Sequence, residues 1–155
     1  METLSRNQLS TVAEVTVSYR PKIRPSQRPI VKCAEDAYEI LLGFWNADKI
    51  ELCEQFCVML LNNRGSVLGV VELSSGGFTG VVVDAKMIFS VALKACACSI
   101  IIAHNHPSGN LKPSTQDIRV TTRLVAAGNI LEIPLNDHLI ISSEGFLSLS
   151  EAGYM

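Results

Sequence analysis

The sequence has no CxxC pair, no apolar run long enough to span a membrane, no block of like charge and no internal repeat. Each absence removes a class of protein. The five cysteines, Cys33, Cys53, Cys57, Cys96 and Cys98, are odd in number, lie in apolar contexts and fit no zinc-knuckle spacing, so they read as reduced core thiols. With no apolar span, and with a polar start over residues 1–10, neither a membrane anchor nor a secretory leader is expected; the reading is a cytoplasmic protein. Lysine and arginine number 13 against 15 acidic residues, a formal charge of −2, so charge gives a nucleic-acid partner no support. What is present is 48% hydrophobic and 18% charged over 155 residues, which suits one well-packed globular domain.

Residues 12–19 alternate Val15, Val17 and Tyr19 with polar neighbours and predict a half-buried strand. Residues 21–29 hold three prolines, with Arg20, Lys22, Arg24 and Arg28 in or beside them, and read as a solvated extended loop. Ala37, Ile40, Leu41, Phe44 and Trp45 repeat at helical spacing, so residues 34–45 predict an amphipathic helix. Strands are expected at 54–61 and 66–74, joined through Asn62-Asn63-Arg64-Gly65. A helix over 85–96, capped by Asp84, leads to a buried strand at 99–103. A second helix is expected over 115–127, stopping at Gly128-Asn129, then strands at 130–133 and 138–143 and a short closing element over 146–155. The fold class is α/β (mixed α+β), a mixed sheet flanked by helices on both faces.

The chemistry gathers just after the strand at 99–103. His104 and His106 stand at i and i+2, so at a strand end their side chains leave on one side. Asp117 follows in the first turn of a helix. Two imidazoles and a carboxylate make the three protein ligands that a catalytic zinc takes while keeping a position for water. Ser114 with Asp117 is also an ordinary helix-capping pair, and by itself that reading suffices; the histidines favour the metal.

Glu72 lies on a strand whose two faces are both apolar, Leu68 and Val70 on one, Val67, Val71 and Leu73 on the other. Burying a carboxylate there costs several kcal/mol, roughly, unless a partner or a metal is near. The alternative is that Glu72 sits at the strand's wet end beside Ser74-Ser75-Gly76-Gly77. Periodicity leaves the two even.

The set Glu72 … His104-x-His106-x7-Ser114-x2-Asp117 resembles the JAMM motif of the JAB/MPN metalloprotease family. Asn105 stands where the deubiquitinating branch usually has Ser or Thr. The run Ala103-His104-Asn105-His106-Pro107-Ser108-Gly109, with Asp137-His138 downstream, is instead similar to the RadC branch in a short, stand-alone form. The resemblance implies a layered architecture like that of cytidine deaminases, with a strand and Pro-rich extension over 1–30 and a RadC-like JAB/MPN domain over 31–155. It implies that His104, His106 and Asp117 bind Zn2+. Glu72 would be the general base and Ser114 the oxyanion donor, in a metallopeptidase or isopeptidase acting on a protein or peptide. His138 is expected to play a hydrogen-bonded structural role, and Lys112 to be solvated. The competing reading is a DNA-associated accessory protein, of the DNA-repair type, with a structural metal or a nucleic-acid substrate. A homodimer is compatible with either.

Overall fold

A computed structural model describes Thr16, residues 18–76 and residues 83–155. Its helices are α1 (Ala34–Phe44), α2 (Ala85–Lys94) and α3 (Thr115–Leu131), after a 3-10 turn at Pro25–Gln27. Its strands are β1 (Gln55–Leu61), β2 (Val67–Ser75), β3 (Ser99–Asn105), β4 (Leu135–Ile141) and β5 (Phe146–Ser148). They form one sheet in the order β2-β1-β3-β4-β5, with β3 and β4 parallel and the other pairs antiparallel. The parallel pair needs a long crossover, and α3 supplies it.

Strand pleating divides the core in two. Cys57, Met59, Leu61, Ile101, Ala103, Leu139 and Ile141 pack with Ala37 and Leu41 of α1. Phe56, Val58, Leu60, Ile100 and Ile102 pack on the other face with Ile88 and Phe89 of α2 and Leu124 of α3. Because β1 and β3 are covered on both sides, they read in sequence as continuous apolar runs. The expected mixed sheet between helices is what forms.

Local chemistry fixes the joints. In the β1–β2 turn, Asn62 Oδ1 accepts from the amides of Arg64 and Ser66, each at 2.9 Å. Gly65 there takes φ +74°, and a Cβ on it would stand 2.8 Å from the Val31 carbonyl, so glycine is required. Asp84 caps α2 by accepting from the Lys86 amide at 2.9 Å.

Two expectations change, one lies largely outside the described residues, and one open choice is decided. The strand over residues 12–19 lies largely outside the described residues, and its described members Thr16, Ser18 and Tyr19 form no strand. The expected strand at 130–133 is instead the last turn of α3 and its cap: Gly128 stays helical, and the chain turns at Glu132, φ +56°. The Ile133 amide reaching back to the Gly128 carbonyl at 2.9 Å closes that end. Only Cys57 of the cysteines is buried, Cys33, Cys96 and Cys98 being exposed, and all five are free. Finally, β2 is the outermost strand on its side among the described residues, and Glu72 on it is exposed, which decides between the two placements that the sequence left open. No helix among the described residues is long and apolar enough to cross a membrane.

Gly128 is needed for room, not for its conformation. A Cβ on it would meet the Ile133 carbonyl at 2.5 Å, whereas one on Gly43 of α1 meets nothing within 4 Å. Gly128→Ala should therefore lose about 1–3 kcal/mol of stability through backbone overpacking. Gly43→Ala should gain roughly 0.5–1 kcal/mol. Urea denaturation of the pair checks both signs.

Candidate metal centre

β3 runs between β1 and β4 and delivers His104, buried, at the point where Phe56 of β1 lies opposite. His106 follows just past the strand end, where its amide still bonds the Ile141 carbonyl at 2.9 Å. The chain then turns through Pro107-Ser108-Gly109 and enters α3. There Ser114 and Asp117 form the capping box. The Ser114 amide and hydroxyl each donate to Asp117 Oδ2 at 2.7 Å, and the Asp117 amide donates to Ser114 Oγ at 3.1 Å. With Oδ2 so occupied, Oδ1 faces His104 Nε2 at 3.2 Å.

The histidines' hydrogens can be assigned from their partners. Thr121 donates its hydroxyl hydrogen to the Asp117 carbonyl at 2.7 Å, so its oxygen accepts from His138 Nδ1 at 2.6 Å. Burial, and then the charge of a protonated His104, hold His138 well below the ordinary histidine value, against the pull of Asp117. A neutral His138 whose hydrogen is on Nδ1 must accept at Nε2, and His104 Nδ1 donates to it at 2.8 Å. His106 Nδ1 donates to the Asn110 carbonyl. In their neutral forms the two imidazoles would present Nε2 lone pairs toward one point, and those nitrogens are 3.0 Å apart.

That geometry fits a metal. The ligand atoms of His104, His106 and Asp117 all lie within 4.8 Å of one another, the only such acid, histidine or cysteine trio among the described residues. Tetrahedral bonds of about 2.0–2.1 Å separate neighbouring ligand atoms by roughly 3.3 Å, close to the spacings at His104. Burial works to raise the Asp117 carboxyl, but with no cation bound the hydrogen bond and charge of a protonated His104, followed by the bonds from Ser114, outweigh it and hold the group well below the carboxylate range. The trio is a candidate site for a divalent cation.

A cavity of about 590 Å³ opens over the trio, and Ser114, His138, Lys112, Phe56 and Glu54 also line it. Glu72 is not brought there. In the β1–β2 ladder Phe56 lies opposite Ser74 but Cys57 lies opposite Glu72, with a register shift between. Glu72 therefore sits beside Cys57, on the α1 side of the sheet, away from His104 on the α2–α3 side. The Cys57 thiol is pushed up to about 12 by burial and then by the charge of Glu72. Glu54 is the acid that sequence reasoning missed. Its signal was the alternation Glu54, Phe56, Val58, Leu60, which puts an acid in line with one apolar face, but only the β1–β3 pairing shows that this face meets His104.

The relay through His138 makes a prediction. His138→Ala leaves His104 Nδ1 without its acceptor and should weaken binding of a divalent cation by about 10–100-fold, measured with added zinc in competition with a chromophoric chelator. His138→Ala binding as tightly as the unaltered protein would show the relay to be idle.

Comparison with known proteins agrees with this geometry. A family model described as the RadC-like JAB domain matches residues 31–154. A UPF0758 protein of Flavobacterium johnsoniae is 40% identical over 100 residues, covering 64% of this chain and 44% of its own length. A UPF0758 protein of Listeria innocua is 36% identical over 148 residues, 92% of this chain and 63% of the relative. The chain thus spans between about two fifths and two thirds of the relatives it matches. On the fold, the trio and this match, the chain belongs to the RadC-like JAB domain family.

Proposed function

We propose that the chain is a zinc-dependent hydrolase of amide bonds in a protein or peptide, with Glu54 as its acid–base group. The observation that supports this is the shared cavity: Glu54 lines it together with His104, His106 and Asp117. A purely structural metal site needs no free carboxylate beside its ligands. Two imidazoles and one carboxylate, with a position left open, are the donor set of a hydrolytic zinc rather than a closed structural one.

Zinc held there supplies a water that ionises near neutral pH. The chain's own groups do the rest. Glu54 receives the proton of the attacking water and passes it to the leaving amine. Asp117 accepts from the Ser114 amide and hydroxyl, which favours its ionised form, so it brings a negative charge to the cation. Ser114 donates to the substrate oxygen as charge grows on it. Its single hydroxyl hydrogen is directed at Asp117 Oδ2 in this structure, so the role requires the hydroxyl to turn. Lys112 at the cavity wall offers a cation to an anionic group of the substrate.

A nucleic-acid substrate gains no support. The exposed Arg20 and Lys22 and the half-buried Arg28 line a different groove, with Tyr19, Ile40 and Phe44, that contains none of the candidate ligands.

Three substitutions test the assignment. Glu54→Gln should keep stoichiometric zinc and lose about 10²–10⁴-fold in turnover. His106→Ala should lose both. Glu72→Gln should change neither, which separates the two carboxylates directly. Zinc content by atomic absorption, paired with cleavage of a quenched-fluorescent peptide library, reads all three; loss of turnover in Glu72→Gln with Glu54→Gln active would reverse the assignment.

A further inference from the structure

We infer that Asn105, lying between the two histidine ligands, is the positioning residue that holds Glu54 over the metal trio; this rests on the hydrolase reading above. Asn105 is fully buried and its side chain reaches none of the ligands. Instead, its Oδ1 accepts from the Gln55 amide at 2.7 Å, while its Nδ2 donates to the Ile50 carbonyl at 2.7 Å and the Cys53 carbonyl at 2.9 Å. These three groups bracket the segment that ends in Glu54. The β1–β3 ladder stops at Phe56 opposite His104, and the backbone of Asn105 is committed to Ile141 of β4. The amide side chain therefore does what the ladder no longer does. Glu54 itself is fixed from the opposite side, its carbonyl accepting from the Gly76 amide at 2.7 Å.

The donor count specifies the residue. The site needs one acceptor and two donors on one short planar group, and asparagine supplies them. Aspartate has the size but places oxygen against two carbonyls; serine has the polarity but one hydrogen. Either change frees the segment while leaving the bonds of His104 to His138 and of His106 to Asn110 intact. Asn105 thus acts on the acid–base group and not on the ligands.

The test compares Asn105→Ser and Asn105→Asp with the unaltered chain. Amide hydrogen exchange at Gln55 should speed up at least about tenfold. Zinc affinity by chelator competition should stay within about threefold of the unaltered chain. Turnover on the peptide library should fall at least about tenfold, and Asn105→Ser added to Glu54→Gln should cost nothing more than Glu54→Gln alone, because one acts through the other. Unchanged exchange at Gln55, zinc affinity falling in step with turnover, or additive effects in the double variant would each overturn the inference. Absence of turnover by the unaltered chain would sink the hydrolase reading itself, while the exchange and zinc arms still decide whether Asn105 anchors the segment. Ser148→Ala, which loosens a buried contact with Asp137 instead, is the control: it should leave Gln55 exchange as it was.

Discussion

Two imidazole nitrogens stand 3.0 Å apart with their hydrogens on the far sides of their rings. Such a pair repels unless something positive is shared between them, a proton or a cation. Holding it together takes rigid supports. His104 has a central strand buried on both faces, and His106 is caught by the edge of β4 through its amide. Asp117 comes from a third direction, on the first turn of α3, where the helix end favours a negative charge. The sheet order and the capping box are therefore conditions for the site.

The support extends well beyond the trio. His138, which accepts from His104, is itself placed by buried neighbours on β4 and beyond. Its amide donates to Asp137 Oδ1 at 2.7 Å, and Asp137 Oδ2 accepts from Ser148 at 2.6 Å. The Leu149 amide closes onto the His138 carbonyl at 3.0 Å. The short β5 thus contributes no candidate ligand, yet it completes the polar network beneath His104. Buried networks of this kind specify geometry because a half-satisfied member costs more than an apolar replacement.

Much of this was legible in the residues. The i, i+2 histidines and the Ser114–Asp117 pair lie within one local stretch, where strand and helix periods alone decide which side chains converge. The same holds for α1 and the β1–β2 turn. What failed or was left undecided depended on non-local facts. Whether Glu72 was buried or lay at a wet strand end stayed open, because apolar alternation cannot tell an edge strand from a central one, nor reveal the register shift at Cys57. Gly128 looked like a stop signal; its meaning was close approach to Ile133, a contact made only after the chain turns. Glu54 lay in plain view at the head of β1, and no local pattern says which strand will run beside it.

The division of labour along β3 follows from its pleat. Successive residues point to opposite faces, so a strand that sends His104 and His106 to one side must send Asn105 to the other. A hydrophobic residue there would suit the core on the α1 side, where Ala103 and Ile101 already pack. Asparagine instead spends buried volume on three hydrogen bonds to the segment before β1. A single strand thereby fixes two candidate metal ligands on one face and, from the other, ties down the chain that carries the candidate acid–base group. The distance between Glu54 and the two histidines is then set within one strand pair, while Asp117 is placed separately by α3. Where catalysis needs a carboxylate and a metal in fixed register, that is the shortest structural path the sheet offers.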